Sequence, residues 1–236
     1  AGHAGGNRRR VYGEDGAGHE RRHADHQFAL LLNSINAKRY KKIVQTITYM
    51  PYFISLVVTC SIIKIYCQEN GLFSQIIEIF GGTRRNLLID SGAYRPIYVL
   101  SGIWQNIGWN SIIYLAALMN VDPELNEAAQ IDGANRWQRM WHIDLPTILP
   151  TASILLILAA GKVMNVGFEK VYLMQNDLNI STSEVISTYV YKIGMVTGGG
   201  DFSYGTAIGL FNSVVNFILI ILVNTICKKL GGSSLW

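Results

Sequence analysis

DPELNEAAQIDGANRWQRMWHIDLPTILP, residues 122–150, is the longest polar and charged run between two long apolar segments of the chain. Its reading decides what the rest is for. Asp122 suits a helix cap, Pro123 the first helical position, and Glu124 complements the positive end of a helix. Leu125, Ala128 and Ala129 fall at i, i+3 and i+4 and so share one narrow face of small side chains. Gly133 follows, where the chain can bend into a conformation that a residue with a Cβ resists. Trp137, Met140 and Trp141 then repeat the i, i+3, i+4 spacing in a second short helix. Leu145-Pro146 and Pro150 mark the passage into the next apolar run, since proline cannot continue the hydrogen-bond ladder. The pattern is two short helices joined by a glycine elbow, held at a membrane surface. Spacing of this kind also occurs in ordinary connecting loops with normal caps.

The composition agrees with a membrane setting. Of 236 residues, 50% are hydrophobic and only 15% charged, against roughly 25% charged in soluble domains. Mean hydropathy is +0.23. Four apolar runs are long enough to cross a bilayer: 43–66, 97–119, about 148–168, and 205–227. The first would rise about 36 Å as a helix, enough to cross with tilt. Pro51 within it predicts a kink, and Lys64 lies close enough to its far end to reach water. Ile76–Phe80 reads as a surface helix and Glu184–Met195 as an amphipathic one. Gly198-Gly199-Gly200 reads as a flexible joint, and Gly161 and Gly167 as close-packing positions. With the elbow on the cytoplasmic side, the inner segments 33–42, 120–147 and 228–236 carry eight Lys/Arg and the outer segments 67–96 and 169–203 carry five. That asymmetry has the sign of the positive-inside rule.

Other chemistries find no support in the residues. Cys60 and Cys67 would stand roughly 10 Å apart along one helix, and Cys227 is remote, so all three are expected as free thiols. Residues 1–27 hold four of the five histidines at irregular spacing, which does not build a metal shell. No signal peptide is present, because an apolar core is missing there. No G-x-x-x-x-G-K-[ST] occurs: Gly161-Lys162 is followed by Val163, with Leu156 where the first glycine belongs. A membrane-embedded enzyme would need ionisable groups clustered in the spans, and only Lys64 and Lys162 lie there. No catalytic or metal-binding residue is therefore expected.

Glu127-Ala128-Ala129, Asp132-Gly133-Ala134 and Ile143-Asp144-Leu145-Pro146 together resemble the EAA loop of ABC importer permeases. That motif runs E-A-A, three residues, G, nine residues, I-x-L-P, and each of its positions is matched. Residues 28–236 resemble the permeases of sugar importers, in particular the branch that takes up polysaccharides or lipo-oligosaccharides. Tyr49-Met50-Pro51, Ile103-Trp104-Gln105, Gly108-Trp109-Asn110, Thr188-Tyr189-Val190-Tyr191 and Ser234-Leu235-Trp236 carry the likeness beyond the loop. The resemblance implies an all-α, polytopic bundle of the type I importer class in a bacterial cytoplasmic membrane. It implies a second permease subunit, ATP-binding subunits and an extracytoplasmic solute-binding protein as partners, with no nucleic acid. This chain itself would hold no cofactor, ATP being bound on the partner ATPase. Glu127, Ala128, Ala129, Asp132, Gly133, Ala134, Leu145 and Pro146 would meet that ATPase.

In the resembled family one span and most of another precede Phe28, so residues 1–27 are expected to be non-homologous, and disordered or artefactual. A shortened chain of that kind could also be an inactive fragment. A non-sugar solute is the alternative cargo. Trp104, Gln105, Asn106, Trp109 and Asn110, with Asn165, Asn212 and Asn216, are the candidates for touching cargo. Aromatic rings beside amides suit the apolar faces and hydroxyls of sugars. The same polar groups also serve as glue between helices.

Overall fold

The computed structural model describes residues 15–35, 37–196, 202–229 and 234–235. The glycine joint at 198–200 and the terminal Trp236 lie outside them. All regular structure among the described residues is helical. Helix α1 spans Asp15–Asn33, α2 Lys38–Tyr49, α3 Leu56–Cys67, α4 Leu72–Ile79 and α5 Ser91–Leu118. The elbow supplies α6 (Pro123–Ile131) and α7 (Arg136–Arg139), followed by α8 (Leu145–Ala160). Helices α9 (Phe168–Met174), α10 (Ile180–Ser183) and α11 (Ile186–Tyr191) precede the long α12 (Phe202–Lys229).

The first expected span is not a kinked rod. A 3₁₀ turn at Met50–Phe53 separates α2 from α3, and the apolar pair bends by 97° across the break. Pro51 removes one ladder donor, Ile54 is extended (φ −76°, ψ 131°), and Ser55 caps α3 by accepting from Val58 N–H at 3.3 Å. Two breakers and a fresh cap within five residues end one helix and start another. Span three also shifts. It starts inside the elbow, as one 25-residue apolar helix Arg136–Ala160, and stops before Gly161 rather than at Phe168. Beyond Ala160 the turns tighten to i→i+3 bonds, Lys162 N–H to Ala159 O (3.0 Å) and Val163 N–H to Ala160 O (3.3 Å). Asn216 of α12 then takes the Met164 N–H at 3.3 Å.

By length and composition, Arg136–Ala160 and Phe202–Lys229 can each cross a membrane, and the bent pair makes a third candidate. Helix α5 has 28 residues, starting earlier than expected because Asp90 caps it through Gly92 N–H at 2.9 Å. Gln105, Asn106 and Asn110 keep it from standing out as an apolar span. Residues 15–27 form the first part of α1, and its turn at Asp25 packs: Asp25 is 5% exposed and bonded by Asn110 Nδ2 at 3.0 Å. The bond closes 85 residues of chain and has no local signal in the sequence.

Two apolar clusters organise the molecule. One joins Ala29 and Leu30 of α1 to Tyr114 and Leu118 of α5 and Ile148 of α8, beside the elbow. The other joins Cys60, Ile63 and Cys67 of α3 to Leu87, Leu88, Tyr94 and Met174 at the opposite end of α5. All three cysteines are free and buried. Helices α8 and α12 run antiparallel, since Gly161 faces Ile220 while Asn165 faces Asn212. The end of α12 therefore returns to the elbow side, and so do the basic residues that open α2. The surface helix expected at 76–80 begins earlier, as α4, and the amphipathic segment is α11 continued by a π-turn at Lys192–Val196.

Away from the elbow, Asn179 ties the loops. It is 1% exposed, donates to Leu88 O (3.0 Å) and Met174 O (3.2 Å), and accepts from Ser183 Oγ (2.9 Å) and Asn176 N–H (2.9 Å). Asn179→Ala leaves those buried groups unpaired, so a loss of about 2–4 kcal/mol is expected. Thermal melting of the purified protein reads it. An unchanged melting point would mean that the apolar cluster alone holds these loops.

Candidate functional site

The elbow is built from local hydrogen bonds. Asp122 Oδ1 accepts from Glu124 N–H at 3.0 Å and opens α6. At the other end Gly133 adopts φ +80°. Its N–H bonds Gln130 O (3.1 Å), and Ala134 N–H reaches back to Ala129 O (2.8 Å). This is a Schellman closure, in which a left-handed residue satisfies the last carbonyls of a helix. Asn135 immediately caps α7: its Oδ1 accepts from Gln138 N–H (2.9 Å), and its own N–H donates to Gln138 Oε1 (2.7 Å). Three motifs in seventeen residues make a stiff bracket.

Nothing in α6 or α7 is buried. Glu127, Ala128, Asp132 and Pro146 are exposed, with Ala129, Ala134 and Leu145 half-buried. The Glu127 side chain forms no hydrogen bond or ion pair with the described residues. Leu125, Ile131, Trp137 and Trp141 stand out into solvent, Ile131 at 85% exposure. Inside the bend a groove of ≈ 390 Å³ is walled by Ala129, Gly133 and Ala134 on one side and Gln138, His142 and Ile143 on the other. Of the eight residues expected to meet an ATPase, the six from Glu127 to Ala134 lie on this projection, whereas Leu145 and Pro146 open α8 and Leu145 packs on the apolar cluster.

The expected cargo residues are not one cluster. Trp104 and Trp109 of α5 are 49% and 42% exposed. Gln105 is buried and faces the helix break, with Nε2 donating to Ile54 O (3.3 Å) and Thr59 Oγ1 (3.4 Å). Asn106 bonds its own helix at Gly102 O (2.8 Å). Asn165, Asn212 and Asn216 gather elsewhere, where α8 ends against α12: Asn212 Nδ2 donates to Asn165 Oδ1 at 2.9 Å. Gln105 and Asn216 therefore tie α5 and α12 to neighbouring segments, whereas Asn106 bonds within α5.

The sequence reading missed Tyr52 and Phe53. Tyr52 stacks on Trp109 with centroids 4.4 Å apart and planes within 2°, and Phe53 meets the same indole edge-on at 6.1 Å. The aromatic pair directly after Pro51 was the available signal. The reading also missed Lys170, which is 7% exposed, donates to Tyr98 O at 3.1 Å and lies 4.9 Å over the Tyr98 ring. Lys162 shares a cavity of ≈ 360 Å³ with Asp25 and Asn110.

Apolar helices of spanning length and an exposed, hydrogen-bonded elbow at one end define a multi-pass helical membrane protein. Residues 28–231 match the family described as the binding-protein-dependent transport system inner membrane component, and the chain belongs to that family. It is 44% identical over 209 residues to the polygalacturonan/rhamnogalacturonan transport system permease protein YteP of Bacillus subtilis (strain 168), covering 88% of this chain and 64% of YteP. It is 30% identical over 207 residues to the arabinooligosaccharides transport system permease protein AraP of the same strain, covering 87% and 64%. The chain thus spans slightly less than two thirds of the length of these relatives. Among solved structures, a chain of the bacterial alginate ABC transporter in complex with an alginate pentasaccharide-bound periplasmic protein superposes with TM-score 0.87 and 33% identity. That match covers 94% of this chain and 78% of the other.

Proposed function

We propose that this chain is the transmembrane permease subunit of an ATP-driven importer in a bacterial cytoplasmic membrane. It passes a saccharide by alternating access and is coupled to a separate ATPase through the elbow. Its partners are a second permease subunit, the ATP-binding subunits and an extracytoplasmic solute-binding protein, and no covalent chemistry takes place in this chain. The observation that carries the reading is the elbow, a hydrogen-bonded bracket that exposes a small-residue face and two tryptophans. A stiff, solvent-facing element of this kind moves as a unit when a partner grips it. The saccharide assignment rests on the named substrates of the relatives and on the stacked Tyr52–Trp109 pair, whose flat faces suit the C–H faces of a sugar ring.

The test is uptake of radiolabelled oligogalacturonide into proteoliposomes holding the complete complex. Uptake should require ATP and the solute-binding protein. Trp109→Ala should raise the concentration for half-maximal uptake about tenfold, the scale of one lost stacking contact. Uptake that continues with a hydrolysis-dead ATPase would remove the importer reading. Uptake of amino acids alone would remove the saccharide.

A further inference from the structure

We propose that the outward face of α2 is a binding site for one anionic phospholipid from the leaflet on the elbow side. The site makes no use of the elbow or of the cargo candidates, and its test is independent of what the chain transports.

The charge comes first. Residues 38–42 read Lys-Arg-Tyr-Lys-Lys, and no Asp or Glu occurs between Asp25 and Glu69. The segment therefore holds no counter-charge of its own. Nor does the fold bring one in: the ion pairs among the described residues join Glu78 to Arg84, Asp90 to Arg85 and Glu184 to Lys192. Arg39 and Lys42 are both exposed. Cations placed beside a membrane segment without a protein partner attract anionic headgroups.

An apolar stripe runs on from these charges. Tyr40, Ile43, Ile47 and Met50 are each 57–63% exposed. At 100° per residue they fall within about 80° of one another, with Arg39 beside them. Thr48 and Tyr49 stand on the opposite side, where Gly108 lets α5 approach closely. That crossing fixes which face of α2 looks outward. From Tyr40 to Met50 the helix rises about 15 Å, one leaflet's share of a hydrocarbon core roughly 30 Å thick. The helix then gives way to the 3₁₀ turn at Met50–Phe53.

Charge and stripe together match one molecule. The phosphate meets Arg39, whose planar fork can hold two of its oxygens, and Lys42, a mobile point charge. An acyl tail lies along Ile43, Ile47 and Met50. A protein covering the stripe would have to supply acids for Arg39 and Lys42 as well, whereas an anionic lipid carries the charge and the apolar chain in one body. A zwitterionic lipid brings its own ammonium, which offsets the attraction.

The experiment titrates the assembled transporter in detergent with phosphatidylglycerol and, separately, phosphatidylethanolamine, and counts bound lipid by native mass spectrometry. Phosphatidylglycerol should bind well ahead. The double change Arg39→Gln/Lys42→Gln should lower its affinity about thirtyfold, from about 1 kcal/mol for each base lost. Arg39→Lys/Lys42→Arg keeps both charges and should keep the binding. Ile43→Ser/Ile47→Ser should weaken it too, by removing apolar contact. Lys228→Gln/Lys229→Gln, at the end of α12 on the same side of the molecule, is the control and should leave affinity unchanged. Equal binding of the two lipids, or equal losses in the two Gln pairs, would reduce the site to diffuse surface charge and overturn it. Displacement of the lipid by glycerol 3-phosphate, a headgroup without tails, would overturn the role of the stripe and with it the site. A wild-type complex that retains neither lipid would give this face to a protein partner instead.

Discussion

Replacing Gly133 by valine should cut productive transport about tenfold or more while leaving the protein in the membrane. The φ of +80° at this position lies where side-chain-bearing residues are strained, at about 1–2 kcal/mol for an ordinary residue and more for a β-branched one. A Cβ built there meets nothing within 4 Å. The whole effect is therefore backbone strain, which gives a graded series. Asn tolerates the left-handed region and should retain most uptake, Ala should lose part of it, and Val should lose about tenfold or more, since ~1.4 kcal/mol is a factor of ten in a population. Strain relaxes by opening the Schellman closure, which frees the Ala129 and Gln130 carbonyls and lets α6 swing away from α7. The apolar helices keep their internal hydrogen bonds and should still insert. Membrane abundance, ATPase pull-down and uptake of the three variants are the measurements. Equal uptake by Asn, Ala and Val variants would show that the bend needs no left-handed residue. Loss of the Val variant from the membrane would show that Gly133 serves folding instead of coupling.

Gly108→Ala should be strongly damaging, and here the defect is assembly. Gly108 lies on α5 where α2 crosses it. An added Cβ would press on the Thr48 carbonyl oxygen and stand 2.6 Å from its carbon and 2.8 Å from Tyr49 Cδ1. Two of these three atoms are backbone and cannot rotate aside, so the helices must separate. Small residues permit such close crossings in membrane bundles. Overpacking of this kind costs about 3 kcal/mol or more. Separation would also pull Gln105 from Ile54 O and Thr59 Oγ1 and unstack Tyr52 from Trp109. Steady-state membrane level and melting in detergent should both collapse. Gly209→Ala is the control: its Cβ meets nothing within 4 Å in the middle of α12, so the change should be neutral or mildly stabilising. A Gly108→Ala protein as abundant and stable as the Gly209→Ala protein would mean that α2 and α5 do not cross this closely.

The two glycines act at different places. Gly133 sets the angle between α6 and α7. Gly108 keeps α5 close enough to α2 for the broken span to stay engaged. A defect at Gly133 should leave an assembled but uncoupled protein, whereas a defect at Gly108 should leave little protein. Measuring abundance and uptake together separates the cases.

The elbow was legible in the sequence because everything that shapes it is local. Asp122, Pro123, Gly133 and Asn135 act on residues no more than five positions away, and hydrogen bonds at that range follow from residue type. The apolar runs were legible for the same reason, since length and hydropathy are properties of a segment alone. Tertiary structure decided where those runs end and what their polar residues do. Pro51 promised a kink, yet Ser55 as a new cap and Gln105, 51 residues away, donating to the stray Ile54 carbonyl stabilise a 97° break. Asn110, a candidate cargo contact in the sequence, donates to Asp25, 85 residues earlier, which no window around it could show. Pairings at that distance depend on how helices cross, and a crossing is set by close approaches such as Gly108 on Thr48. A window of sequence carries the periodicity of one helix and contains nothing about the face of another.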